Sequence, residues 1–230
     1  MSTHVLLTGA SRGIGAAIAD ALRARDVVLF AASSADADLA AQDGPEQLWD
    51  TALERLDGRV DVLINNAGVF EAAPLDASDE AWLAQWQRTM TINLEASTRL
   101  SRSAILAWRA AGSGGRIVNV ASRAAYRGDS PAHWHYAASK AGMIGVTKTI
   151  ARGYAAQGIL AFAICPGFTM TGMAEDYLAS RGGDKLLADI PLGRVAEPEE
   201  IGTIAAFLAL DAPASMTGAV LDANGASYVR

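Results

Sequence analysis

The stretch HVLLTGASRGIGAAIADALRA, residues 4 to 24, decides the fold. HVLL is a short apolar run of strand type, TGASRGIG is a glycine-rich turn, and AAIADALRA returns apolar residues at helical intervals. Strand, glycine turn and helix in that order form the opening unit of a parallel α/β sheet. In such a unit Gly9 suits the tight turn, Gly13 admits close approach of backbone to a ligand, and Gly15 permits close packing of helix on strand. The helix start leaves unpaired N–H groups and a partial positive charge, a setting suited to a pyrophosphate. Ser11, Arg12 and Ile14 ride on the same turn. An ordinary βα turn can show the same glycine spacing, so the position between strand and helix carries the reading.

Working outward, apolar runs at Val27–Ala32, Asp61–Ile64, Arg116–Ala121, Ile159–Cys165 and Ala219–Asp222 read as further strands. Helical spacing recurs over Pro45–Leu56, Glu80–Ala111, Tyr136–Gln157 and Pro198–Leu210. Continuous apolar strands alternating with helices imply one doubly wound parallel sheet, covered on both faces. No linker, repeat or low-complexity tract interrupts it, so residues 1–230 read as a single domain. One connection is short. Only Ser33–Gly44 separates the second strand from the helix at Pro45–Leu56, and a helical crossover needs roughly ten to twelve residues before any strand is counted. The helix that would lead to a third, edge strand is therefore expected to be missing, with that strand surviving at most as a short segment near Ala37–Leu39.

The totals exclude several classes. The 230 residues are 51% apolar and carry a formal charge of −6, which gives no basic footprint for nucleic acid or an anionic membrane. Cys165 is the lone cysteine, so no internal disulfide or cysteine-built metal site can form, in keeping with a reducing cytoplasm. The run VLL near the start is too short for a signal-peptide core, and no run approaches a membrane span.

Chemistry enters at HWHYAASKAGM, residues 133 to 143. Of the tyrosines at 126, 136, 154, 177 and 228, only Tyr136 has a lysine four residues later, on the same helical face. A free phenol titrates near 10, too high for proton transfer at neutral pH. The Lys140 ammonium, and the charge of an oxidised nicotinamide, would favour the phenolate and make Tyr136 a general acid/base. The bland alternative is a surface pair on an amphipathic helix. Ser122 ends the strand RIVNVAS and could hold a substrate oxygen beside the phenol, or simply open a loop. Gly142 and Gly145 inside the helix point to close packing, against either a second subunit or the chain's own sheet. His133 and His135 alternate along the chain, poor geometry for a metal, and read as pocket wall or surface; Cys165 reads as a small buried hydrophobe. Met170–Ile190 is a candidate lid or a plain surface loop.

These residues together resemble the short-chain dehydrogenase/reductase superfamily, in its compact subfamily. The matches are TGASRGIG, NNAG at Asn65–Gly68, Asn93 in TINLEAS, Ser122, YAASK at Tyr136–Lys140, Pro166–Gly167 and PLGRVAEPEEIG. The resemblance spans essentially the whole chain and is strongest to the 3-oxoacyl-carrier-protein reductase and sugar or alcohol dehydrogenase branches. It implies a Rossmann fold and reversible hydride transfer between a nicotinamide cofactor and a carbonyl/secondary-alcohol pair, without a metal. It also implies a homo-oligomer, dimer or tetramer. By resemblance Tyr136 is the general acid/base, Lys140 binds the nicotinamide ribose, Ser122 orients the substrate oxygen, and Asn93 holds a relay water. Asn66, Ala67 and Gly68 would pass the adenosine ribose, Asp38 and Leu39 would meet the adenine, and Pro166, Gly167, Thr169 and Thr171 would flank the nicotinamide. The other readings are an isomerase, lyase or dihydrodiol dehydrogenase using the same pair, or a catalytically silent nucleotide-binding regulator.

Cofactor choice rests on the end of the second strand. Ala31-Ala32-Ser33-Ser34 offers no acid for a ribose 2′-OH, while Arg12 could grip a 2′-phosphate, so NADP(H) is favoured over NAD(H). Asp36 is the competing feature, because the short connection could swing it towards the ribose. Two departures from the family pattern stand out. The Ser122–Tyr136 interval is one residue longer than usual, so Arg123–His135 must bulge, and the sequence DANGASYVR replaces a common aspartate and glycine pair in a subunit-contact region.

Overall fold

A computed structural model describes residues 2–171 and 183–230. Its strands are β1 (Thr3–Leu7), β2 (Val27–Ala31), β3 (Val62–Asn65), β4 (Gly115–Val120), β5 (Ile159–Pro166) and β6 (Val220–Ala223). All join one parallel sheet in the order β2-β1-β3-β4-β5-β6. The chain leaves β1 in one direction to reach β2 and then crosses to β3 on the other side of β1. This reversal opens a crevice at the carboxyl ends of β1 and β3, where a Rossmann fold receives its ligand.

The strand residues sort by alternation. Val5, Leu7, Val62, Ile64, Val118 and Phe162 face one layer, packed on Ile18 and Leu22 of α1 (Gly13–Arg23). Their neighbours Leu6, Leu63, Ile117 and Ala161 face the other layer. There they meet Leu48 and Trp49 of α2 (Gly44–Arg55). Helix α3 spans Asp79–Met90, and α4 (Ala96–Ala111) adds Leu100, Ala104 and Trp108 to this layer. Both faces are covered, which is why the strands are apolar throughout rather than alternating with polar residues. The remaining helices are α5 (Ala124–Arg127), α6 (Trp134–Tyr154), α7 (Gly183–Ala188) and α8 (Pro198–Ala206), the last packed on α1. No helix among the described residues is long and apolar enough to cross a membrane.

The short connection behaves as its length requires. Residues 32–43 form turns without a helix, and the edge segment expected near Ala37–Leu39 joins no strand; Ala37 and Leu39 instead pack on the core beneath β1. Side chains hold the turns: Asp36 Oδ2 accepts from the Ser33 N–H at 2.9 Å and hydroxyl at 3.1 Å, and Asp38 Oδ1 from the Ala40 N–H at 2.9 Å. β2 thus lies at the sheet margin.

The long helical stretch at Glu80–Ala111 is not one uniform helix. Thr91–Glu95 widens into a π-helical turn between α3 and α4, and Asn93 sits in it, fully buried. Such turns hold one residue more than an α-helical turn and often mark functional positions. Between Ser122 and Tyr136 the chain makes the single turn of α5 and leaves it at Gly128, with φ +78°.

Candidate active site

The glycine turn is built against NNAG. Gly9 has φ +67°, and a Cβ there would lie 2.7 Å from the Ala67 Cα. A Cβ on Gly15 would lie 2.0 Å from the Gly9 carbonyl oxygen, so only hydrogen fits. Thr8 and Asn66 lock the two segments together. The Thr8 hydroxyl oxygen accepts from the Asn66 and Ala67 N–H groups at 3.1 and 3.0 Å, while the Asn66 amide donates to the Thr8 and Gly9 carbonyls at 3.1 and 2.9 Å. The Asn66 side chain is therefore a clamp on the turn, and the residue lines the cleft. No side chain caps the N-terminus of α1 and no acid occupies its first turn. Its N–H groups stay open to an anion.

From this turn a cleft of about 680 Å³ runs to Tyr136. Of the expected cofactor residues, Gly9, Ser11, Arg12, Gly13, Ile14 and Gly15 line it at the turn, and Ser33, Ser34, Asp38 and Leu39 line it beyond β2. Asn66, Ala67, Gly68, Pro166, Gly167 and Thr171 line its other walls, with Tyr136 and Lys140 at the reacting end. Thr169 does not join them. It is buried, bridges to Ala196, and its hydroxyl donates to the Gly167 carbonyl at 3.3 Å. The open helix start, the glycines with no room for a side chain and the length of the cleft fit a dinucleotide. The candidate lid at Met170–Ile190 lies largely outside the described residues.

The four expected catalytic side chains converge on that end. Ser122 follows β4 and its Oγ accepts from the Ala124 N–H at 3.1 Å, so the hydroxyl is fixed by the start of α5. Lys140 is buried, its Nζ donating to the Val120 carbonyl at 2.8 Å and lying 5.8 Å from the centre of the Tyr136 ring. The Asn93 amide is fully engaged. Its Oδ1 accepts from the Val69 N–H at 2.8 Å, and its Nδ2 donates to the Val69 carbonyl at 3.0 Å and the Ser139 hydroxyl at 3.3 Å. It braces α6 against the segment after NNAG.

Electrostatics correct the simple view of the tyrosine. Burial pushes the Tyr136 phenol up to about 12, with the Ser122 hydroxyl pulling the other way. Burial also brings Lys140 down to about 8. In the chain by itself, loss of solvation outweighs the Ser122 hydrogen bond, and the phenol stays protonated well past neutral pH.

The cleft has a wall that sequence spacing does not reveal. Val69, Phe70, Glu71, Arg88 and Ile92 line it. Phe70 meets the Tyr136 ring edge-on, with centroids 4.7 Å apart, and lies flat on His133 at 3.9 Å. His133 and His135, expected on opposite sides of an extended segment, have near-parallel rings because the helix begins at Trp134. No group of three or more metal-binding side chains occurs among the described residues. Cys165 is buried, as its apolar strand implies. The Gly142 position is packed against Leu94 of the chain itself, whereas Gly145 faces open space. The tail of DANGASYVR folds back on α5. Tyr228 stacks on Tyr126, and Arg230 bonds to Asp222, the Tyr126 hydroxyl and the Val220 carbonyl.

Comparison with known proteins agrees with this geometry. The family described as enoyl-(acyl carrier protein) reductase matches residues 9–225. An acetoacetyl-CoA reductase of Shinella zoogloeoides is 35% identical, with 99% of each chain covered. A 3-oxoacyl-[acyl-carrier-protein] reductase of Synechocystis sp. is 37% identical over 96% of this chain and 94% of its own. Among solved structures, a putative NAD(P)-dependent gluconate 5-dehydrogenase from Beutenbergia cavernae with bound NADP superposes with a TM-score of 0.85. It is 33% identical over 97% of this chain and 95% of its own.

Proposed function

The chain belongs to the short-chain dehydrogenase/reductase superfamily and is a nicotinamide-dependent oxidoreductase of carbonyl/alcohol pairs, in which we propose that Tyr136 is the proton donor and acceptor. The isomerase, lyase and silent-regulator readings are not favoured by relatives named as reductases and dehydrogenases. The observation that carries the proposal is the convergence of Tyr136, Ser122 and Lys140 at one end of a cleft whose other end is the glycine turn. When bound, the nicotinamide supplies or accepts the hydride. Tyr136 gives its proton to the carbonyl oxygen in reduction and takes it back from the hydroxyl in oxidation. Ser122, held by α5, hydrogen-bonds the same oxygen. Lys140 adds positive charge beneath the site, and Asn93 keeps α6 in register with Val69.

Within the nicotinamide class, the reading extends to NADP(H). Arg12 is exposed on the glycine turn and lines the cleft with Ser33 and Ser34, while the Asp36 carboxylate is turned into its own loop by Ser33. Asp38, which also lines the cleft there, accepts from the Ala40 N–H, so the charge on Arg12 is what favours a 2′-phosphate. The wild type is expected to show a higher kcat/KM for NADPH than for NADH. Arg12→Ala should cut that ratio about tenfold or more, the loss of a hydrogen bond to a charged group. Steady-state kinetics with both cofactors checks it, and a wild-type preference for NADH would overturn it.

The chain is also read as a homo-oligomer. Gly145 supports this, since a glycine inside a helix costs stability and this one has open space beside it rather than a neighbour of its own chain. Gly145→Leu is expected to shift the wild-type assembly towards monomer in sedimentation, and an unchanged assembly would remove this surface from consideration.

A further inference from the structure

Seven rings run without a break from the reacting phenol to the surface. Tyr136 touches Phe70, and Phe70 lies on His133 with the two planes 5° apart. His133 runs parallel to His135 at 6.2 Å, which leans on Trp86 at 6.4 Å. Trp86 stacks on Trp82 at 5.2 Å, and Trp82 meets Trp134 edge-on at 6.5 Å. Hydrogen bonds fix both imidazoles. His133 Nδ1 lies 2.6 Å from the Ser130 hydroxyl. His135 Nε2 is 2.9 Å from the Glu71 carbonyl, an oxygen that only accepts, so this nitrogen carries a proton. Phe70 and Tyr136 line the cleft, and Trp134 at the far end is 53% exposed.

Charge sets the complementary limit. Among the described residues lining the cleft, the cations are Arg12, Lys140 and Arg88. Arg12 belongs to the glycine turn, Lys140 is buried beneath Tyr136 and donates to the Val120 carbonyl, and half-exposed Arg88 pairs through Nε with Glu71 at 3.4 Å. Beside Phe70, Arg88 is the one cation among the described lining residues, and Glu71 offsets its charge. A flat, neutral aromatic surface next to the proton donor favours a ligand that is itself flat and neutral, because offset and edge-to-face ring contacts add to simple burial.

We propose that Phe70, backed by His133, is the specificity wall of this enzyme, and that its substrate is a planar, uncharged carbonyl compound, an aryl or conjugated ketone with its matching carbinol. The proposal rests on Tyr136 as the proton donor. Phe70 holds the body of the substrate so that its carbonyl oxygen falls at Tyr136 and Ser122. His133 acts through Phe70 as a positioning residue, keeping that ring upright against the phenol.

The test is steady-state reduction of acetophenone, acetoacetyl-CoA and 5-ketogluconate with NADPH and NADH. Wild type, Phe70→Leu, Phe70→Tyr and His133→Leu are compared. The wild type should prefer acetophenone. Phe70→Leu should lower the acetophenone-to-acetoacetyl-CoA ratio of kcat/KM about tenfold, Phe70→Tyr should restore it, and His133→Leu should lower it by a smaller factor, chiefly through KM. A wild-type preference for the thioester or the sugar acid, or an unchanged ratio in Phe70→Leu, overturns the proposal while leaving the oxidoreductase intact. Wild-type reduction of acetophenone that survives Tyr136→Phe unchanged overturns the proton-donor reading on which the proposal stands.

Discussion

Tyr136→Phe lowers kcat for carbonyl reduction by about 10²–10⁴-fold, the usual contribution of a positioned general acid, while the cofactor dissociation constant stays within about twofold of wild type. The substitution removes one oxygen and keeps the ring that packs on Phe70 and Lys140, so the fold and the wall survive. The pH profile follows from the raised phenol. Burial holds the proton on Tyr136 up to about 12, so the donor form needed for reduction is present throughout the neutral range. Alcohol oxidation needs the deprotonated form and should quicken as pH rises. Single-turnover rates and cofactor fluorescence titrations measure both quantities, and a kcat within about threefold of wild type would falsify the assignment.

Lys140→Met separates activity from stability. Activity is expected to fall by about 10²-fold or more, because the buried positive charge beside the reacting oxygen is lost. Stability should move the other way at neutral pH. Burial lowers the ammonium from 10.5 to about 8. The unfolded chain therefore binds more protons between these values, and native stability rises with pH across that window. Below pH 8 the full cost of burying the charge is present, about 3 kcal/mol by linkage. Methionine removes this cost and forfeits the hydrogen bond to Val120, which is worth about 1 kcal/mol. The variant should unfold at the same temperature as wild type or a few degrees above it at pH 7, and this advantage should vanish near pH 10.5. Calorimetry at both pH values decides the matter: a Tm several degrees lower at pH 7 would show that the ammonium stabilises the fold.

The fold was legible wherever a local pattern had a single physical reading. Thr8–Gly15 between an apolar run and a helix implied the opening unit, and β1, β2, β4 and β5 lie within a residue of their expected bounds, while α6 starts two residues and ends three residues earlier than expected. The missing crossover was legible from chain length alone, since Ser33–Gly44 cannot hold a helix and a strand. Features that depend on distant contacts were not legible. The π-helical turn at Asn93 lies in TINLE with no glycine or proline to announce it, and the engagement of its amide by Val69 and Ser139 joins residues 24 and 46 positions away. The clamp between Thr8 and Asn66 spans 58 positions. Phe70 follows NNAG with no spacing signal, and its stack on His133 exists only because α6 begins at Trp134. The Tyr136–Lys140 spacing placed both side chains correctly but not their acidities, which are set by how much water the folded chain excludes.

The short connection after β2 has an outcome unrelated to catalysis. Among the described residues β2 pairs with β1 alone, so the outer side of Val27–Ala31 presents peptide groups to no neighbouring strand. Those five residues, VVLFA, include no charge and no proline, the devices that usually blunt such a border. The chain leaves β2 directly into the turns of residues 32–43, pinned by Asp36 and Asp38. Such an edge is a template for β-addition by another molecule. Heat-driven aggregation of this protein should therefore begin at β2, ahead of any unravelling of the central strands.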